Sequence, residues 1–280
     1  MTFAPQIDVL TQQPGSLQVP DLSFEAILGH FPGLAEADAV CLTGSTAAGW
    51  GNTFSDIDLF VFSDIDLDLP VDETMETWPG TDRSGIKWFN WMGRYGDARV
   101  DLKVWPTDTL SKVLQPYFAE DEPEFSSLGI DAEDFVYRVS IASALKNPQF
   151  FAEMRDLLDR SSYRRSLARA LKVTAENALT DVAGQLASGD VLSARISAVL
   201  SASTTADACL VIAGELCRRP KWLLRRIEAT PACGIGVDEY RAVVLDGRLP
   251  SETDEQCALR VARWAQSHLV RAEAKILATS

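Results

Sequence analysis

The chain has 280 residues, with 26 Lys and Arg against 40 Asp and Glu, a formal net charge of −14 and a pI near 4.6. Apolar and charged fractions of 46% and 24% are those of a globular protein, which excludes a collagen-like, disordered or wholly coiled-coil chain. The acidity disfavours sequence-independent binding of nucleic acid, which rests on clustered cations, and the length predicts two domains, or one with a large appendage.

Residues 1–20 are rich in Pro and Gln and are expected to lie extended over the surface. Residues 21–30 read as a short helix capped by Asp21 or Ser23. Residues 39–42 form an apolar strand that enters a tight turn at Thr43-Gly44-Ser45, and Ile57–Phe62 is a second apolar strand. Residues 64–85 are acidic and turn-rich, and are expected to be loop. Residues 86–95 and 99–105 flank Gly96-Asp97-Ala98 and read as a hairpin. In its first arm, alternation places Trp88 and Asn90 on one face and Phe89 and Trp91 on the other. Beyond Thr107 helical periodicity takes over, at 108–119, 131–146, 148–160, 163–188, 190–217, 220–229, 237–245 and 252–277. Asn147-Pro148, Ser188-Gly189-Asp190, Arg219-Pro220 and the stretch 231–236 break it. The expected fold is α+β: a small mixed β-sheet domain in residues 1–125, followed by an α-helical bundle in 126–280, whose Ala-rich helices at 163–217 suit close packing.

Charge divides with the structure. Residues 1–130 hold 21 acidic and 6 basic side chains; residues 131–280 hold 19 and 20. Five cysteines (Cys41, Cys209, Cys217, Cys233, Cys257) form no CxxC pair and read as the reduced thiols of a cytosolic protein. No signal peptide is visible, and the longest uncharged stretch, 39–55, is too polar to cross a bilayer. His30 and His268 are the only histidines, which disfavours a His-based triad or a poly-His metal site.

The chemically informative stretch runs from Leu42 to Phe62. Gly44 and Ser45 follow a strand, where free amides, a hydroxyl and a close backbone approach suit an anion. Ten residues later, Asp56 and Asp58 open the next strand two apart, on one face, with Ile57, Leu59 and Val61 on the other. Paired carboxylates repel unless a cation bridges them, and hard divalent ions take carboxylate and phosphate oxygens. Asp101, between Val100 and Leu102 in a strand, is a third carboxylate that is costly to bury unless paired or metal-bound. A second Asp-x-Asp, Asp64-Ile65-Asp66, lacks both the following apolar strand and the preceding Gly-Ser.

Gly-Ser, a ten-residue gap, Asp-x-Asp and a later apolar-Asp-apolar strand resemble the polymerase-beta-like nucleotidyltransferase superfamily. Gly49 and Ser55-Asp56-Ile57-Asp58-Leu59 resemble its small bacterial, antibiotic-modifying members. The resemblance covers residues 38–105. It implies a nucleoside triphosphate with its phosphates at Gly44, Ser45 and Ser55, and two Mg²⁺ ions held by Asp56, Asp58 and Asp101. The implied reaction is transfer of a nucleoside monophosphate, with AMP from ATP as the expected case, to a hydroxyl of a small molecule with release of pyrophosphate. Asp101 would serve as general base.

Two basic clusters are candidates for the phosphates. Arg165, Arg169 and Lys172 share one helix face by their spacing, with Arg164 beside them. Arg218, Arg219, Lys221, Arg225 and Arg226 form the second, and Lys221-Trp222-Leu223-Leu224 resembles a segment of related transferases. The alternatives are nucleotidylation of a protein or an RNA end, or a non-catalytic nucleotide-binding component of a regulatory or toxin–antitoxin pair. The expected partners are the nucleotide and a small-molecule acceptor, with no membrane; oligomeric state stays open.

Overall fold

The computed structural model describes residues 22–51, 55–70, 76–81, 85–96, 98–119 and 130–278. The chain forms two compact units, each built from two stretches. One runs to Leu110 and resumes with Arg138–Arg155; the other comprises Ser111–Tyr137 and the chain from Asp156 onward. The boundary expected at 125/126 falls outside the described residues, as do residues 1–20 and Asp21.

The first unit is organised on a six-stranded mixed sheet of order β3-β4-β5-β2-β1-β6. Its strands are β1 (Ala39–Thr43), β2 (Ile57–Phe62), β3 (Glu76–Thr81), β4 (Lys87–Tyr95), β5 (Ala98–Trp105) and β6 (Ser143–Lys146). Strands β2 and β5 pair in parallel; every other neighbour is antiparallel. Helix α1 (Phe24–His30) begins where the Ser23 hydroxyl accepts the Ala26 N–H at 3.3 Å. Alternation sorts the strand residues into two faces. Val40, Leu42, Ile57, Leu59, Val61, Val100, Leu102 and Trp91 pack with Ile27, Phe31 and Leu34 into one core. Burying each such aliphatic side chain contributes about 1.5–3 kcal/mol. The opposite face carries Thr43, Asp58, Phe60, Phe62, Asp101 and Trp105.

Two strands depart from expectation. Strand β3 lies within the stretch expected to be loop. Pro79 and Gly80 interrupt any apolar alternation there, yet an edge strand tolerates Pro, and β3 pairs with β4 from Glu76↔Met92 to Thr81↔Lys87. Gly80 leaves room for the Trp88 ring, which a Cβ would meet at 2.1 Å, and Trp88 stacks on Trp105. Trp91 is fully buried and its indole N–H donates to the Pro70 carbonyl at 2.7 Å.

Strand β6 replaces the end of the helix expected over 131–146. Ser143-Ala144-Leu145-Lys146 suits a helix locally, but pairing with β1 (Cys41↔Ala144, Leu42↔Ser143) prevails over propensity. The Lys146 ammonium donates to the Ala35 carbonyl at 2.7 Å and to that of Ala37, and the break after β6 is Asn147 at φ 56°.

Helix α2 (Gly44–Ala47) follows β1 directly. The helices beyond β5 are α3 (Thr109–Leu114), α4 (Ile130–Ser140), α5 (Pro148–Arg160), α6 (Tyr163–Ala187), α7 (Val191–Ile212), α8 (Leu223–Ala229), α9 (Val237–Tyr240) and α10 (Asp254–Ala278). Ala194, Ala198, Ala202 and Ala206 make a buried row along α7, in one core with Val182, Val261 and Trp264. The Ser201 hydroxyl of α7 donates to the Ala175 carbonyl of α6 at 2.9 Å, a contact that small side chains permit. Helix α7 stops short of the expected 217 because the chain turns at Gly214, φ 95°. By length and composition α7 could cross a membrane, and 56% of that window is buried. The five cysteines are free and buried.

Candidate active site

The site is built where β1 ends. Thr43 lies opposite Asp58 across the β1–β2 pair, and Asp58 lies opposite Asp101 across the parallel β2–β5 pair. Register partners point the same way, so Thr43, Asp58 and Asp101 form a row across three adjacent strands. Met92 of β4 continues the row beyond Asp101. Asp56 precedes β2 by one residue.

The turn after β1 closes on this row. Gly44 has φ 68°, a conformation that favours glycine, and a Cβ there would lie 2.0 Å from Asp58 Oδ2. The Asp58 carboxylate therefore rests directly on the Gly44 backbone. The chain then folds back: the Trp50 N–H donates to the Ser45 carbonyl at 2.8 Å, and the Thr46 hydroxyl to the Asp56 carbonyl at 3.2 Å. Ser45 is thereby held beside the aspartates, with Ser55 immediately before Asp56.

The carboxylates differ in environment. Asp56 pairs with Arg99 at 3.0 Å near solvent. Asp58 pairs with Arg138 at 2.7 Å, both side chains largely buried. Arg138 is fixed on three sides: its guanidinium lies over the Phe60 ring at 5.6 Å, and its carbonyl accepts the Thr43 hydroxyl at 2.7 Å. Asp101 Oδ1 is buried and accepts no hydrogen bond. Burial pushes the Asp101 carboxyl above the usual carboxylate range; Lys103 opposes this, and Asp58 adds to it.

Among the described residues, no group of three or more His, Cys, Asp or Glu side chains could hold a metal ion. Asp56 and Asp58 each turn toward an arginine. The donor set nevertheless fits a hard cation: Asp58 and Asp101 are neighbouring carboxylates, one with an orphaned oxygen. Mg²⁺ commonly takes one or two carboxylates plus substrate phosphate oxygens rather than a complete protein cage.

No protein-family model matches the chain, and no curated protein does. Among solved structures, the chain is similar to the crystal structure of a nucleotidyltransferase-like protein from Exiguobacterium sibiricum 255-15. The two share 13% identity over 91% of this chain and 77% of the other, with a TM-score of 0.46.

The basic residues belong to the helical unit. Lys172 pairs with Glu176 at 2.8 Å and Glu273 at 3.3 Å. Arg165 and Arg169 lie on the same helix, α6. The second cluster has no acid within its own sequence, but the fold brings acids to it. Arg218 pairs with Glu133, Arg219 with Asp134 at 2.8 Å, and buried Arg226 with both Asp207 and Glu215. Lys221 and Arg225 each lie 5.1 Å from the Trp222 ring. Arg99 and Arg138 were not among the expected site residues. Arg99 sits two residues before Asp101 and was open to inspection; nothing in the spacing of Arg138 ties it to Asp58.

Proposed function

We propose that this protein is a metal-dependent nucleotidyltransferase that moves a nucleoside monophosphate, AMP from ATP in the expected case, onto a hydroxyl of a small-molecule acceptor. The observation that carries this reading is the Thr43–Asp58–Asp101 row set against the Gly44-Ser45 turn. Asp58 and Asp101, with Asp56, would hold the divalent cations. When bound, Mg²⁺ supplies charge neutralisation on the attacking and leaving oxygens.

The chain's own groups do the rest. Gly44, lacking a Cβ, lets a phosphate come close to the backbone, and the Ser45 and Ser55 hydroxyls offer hydrogen bonds to it. Arg138 and Arg99 hold the charge of Asp58 and Asp56 until a cation displaces them, which keeps two neighbouring carboxylates from repelling each other out of place. Asp101 Oδ1, buried and without a donor, accepts the acceptor's hydroxyl proton. The acceptor oxygen bonds to the α-phosphorus, the bond from that phosphorus to the bridging oxygen breaks, and pyrophosphate leaves.

The test is pyrophosphate release from each nucleoside triphosphate with Mg²⁺, in the presence of a small-molecule metabolite fraction, tRNA or a protein pool. Release that depends on the small-molecule fraction is expected. Label in RNA or protein would replace the acceptor class, and tight binding without release would replace the enzyme by a binding protein. Asp101→Asn should abolish turnover and leave nucleotide binding largely intact; undiminished turnover would remove Asp101 from the site.

A further inference from the structure

Strand β4 carries a polar residue that the fold leaves unanswered. Asn90 is 2% exposed, and its amide oxygen Oδ1 is buried and accepts no hydrogen bond. Asn is a poor strand former, and an unsatisfied buried polar group costs stability, so the position breaks two local rules at once. Such positions are expected where a residue serves a ligand and not the fold.

Register shows where the amide lies. Asn90 stands opposite Trp78 of β3 and Lys103 of β5, and Lys103 stands opposite Phe60 of β2. Trp78, Asn90, Lys103 and Phe60 therefore make a second row on the face that carries Asp58 and Asp101, two residues along the strands from the aspartates. Because Met92 is the register partner of Asp101, Asn90 and Asp101 are diagonal neighbours, about 7–8 Å apart. Each holds a buried oxygen without a donor. Around Asn90 on this face stand Trp78, Trp88, Met92 and Lys103, all longer than Asn90 itself. Trp78 is 40% exposed and the other three are partly exposed. The amide thus forms the floor of a well whose walls reach solvent. The Lys103 ammonium acts on the Asp101 carboxyl, so the well itself offers an aromatic wall and an unanswered amide.

We infer that Asn90 binds the acceptor: a second donor group of that molecule, a hydroxyl or an amine, bonds Asn90 Oδ1 while the reacting hydroxyl sits at Asp101, and the body of the molecule packs against Trp78. The acceptor is accordingly a polar small molecule with at least two hydroxyl or amine groups, close enough together for one molecule to span Asn90 and Asp101. A simple apolar alcohol would leave the amide as it stands, unanswered. The inference rests on the transferase reading and extends it. The Gly44-Ser45 turn lies at the other end of the aspartate row, beyond Asp58, so nucleotide and acceptor approach from opposite ends and do not compete for the same side chains.

The test uses Asn90→Leu and Asn90→Val in the full chain, and reads both melting temperature and the dependence of pyrophosphate release on the metabolite fraction and on ATP. At least one variant is expected to melt about 2 °C or more above the parent, because an apolar group replaces an unanswered polar one. Both should need at least about 10-fold more of the metabolite fraction for half-maximal release, with the half-saturating ATP concentration within about 2-fold of the parent's. Both variants melting below the parent would show that the amide serves the fold. An unchanged need for the fraction, or a rise shared equally by ATP, would take Asn90 out of the acceptor site. Each of these results overturns the inference and leaves the transferase reading standing. No release from the parent with the metabolite fraction would overturn that reading, and the inference with it.

Discussion

Replacing Gly44 by alanine separates the geometry of the site from the stability of its turn. Two costs follow from the structure. The backbone at φ 68° is unfavourable for an L-residue by about 1–2 kcal/mol. The new Cβ would also lie 2.0 Å from Asp58 Oδ2, where ordinary contact begins near 3.4 Å, so the carboxylate must withdraw by about 1.4 Å. A displacement of that size at a reacting centre costs about 100-fold in rate. Gly49 supplies the control. It has φ 72° in the same connection, and nothing lies within 4 Å of a Cβ built on it. Gly49→Ala therefore meets the backbone cost without touching Asp58. Both variants should melt about 2–8 °C below the parent. Pyrophosphate release, measured with the metabolite fraction that supports it, should fall at least about 100-fold in Gly44→Ala and less than about 10-fold in Gly49→Ala. Equal activity in the two variants would refute the claim that Asp58, held against Gly44, is part of the reacting centre.

Arg226→Met should destabilise the helical unit by about 3–5 kcal/mol in urea unfolding, because it leaves Asp207 and Glu215 buried without their shared cation. Acid should destabilise the protein partly through Glu252. Its hydrogen bonds from Arg260 hold its carboxyl below the usual range in the folded state, so the stabilisation is present above the unfolded value and is lost as pH falls through the folded one. Glu252→Gln should flatten the acid limb of melting temperature against pH. Native protein at pH 8 should leave Cys41 unmodified by a thiol reagent, since burial pushes that thiol up to about 12, and all five thiols should titrate after denaturation.

Much of the aspartate row was legible because its signals are local. Apolar alternation marks β1, β2 and β5, and a carboxylate between Val100 and Leu102 is conspicuous in a strand. What escaped was set by partners distant in the chain. Strand β3 carries Pro79 and Gly80 and is held by its pairing with β4, not by a pattern of its own. Strand β6 has the residues of a helix and becomes a strand because β1 offers it a ladder. Arg138 meets Asp58 across eighty residues of sequence, so its role depends on where α4 ends. The acids that answer the second basic cluster come from α4 and α7 and from the turn after α7, which no local count of charge reveals.

The late arrival of β6 bears on how the protein is made. Until Lys146 has left the ribosome, β1 presents an unpaired edge of Ala-Val-Cys-Leu-Thr, a fully buried strand in the finished sheet. At about 5–20 residues per second, that edge waits roughly 5–20 s after its own synthesis for its partner. A nascent chain in this interval is open to pairing with a neighbour on the same messenger, and a fragment cut off near residue 125 would stay in that sticky condition permanently.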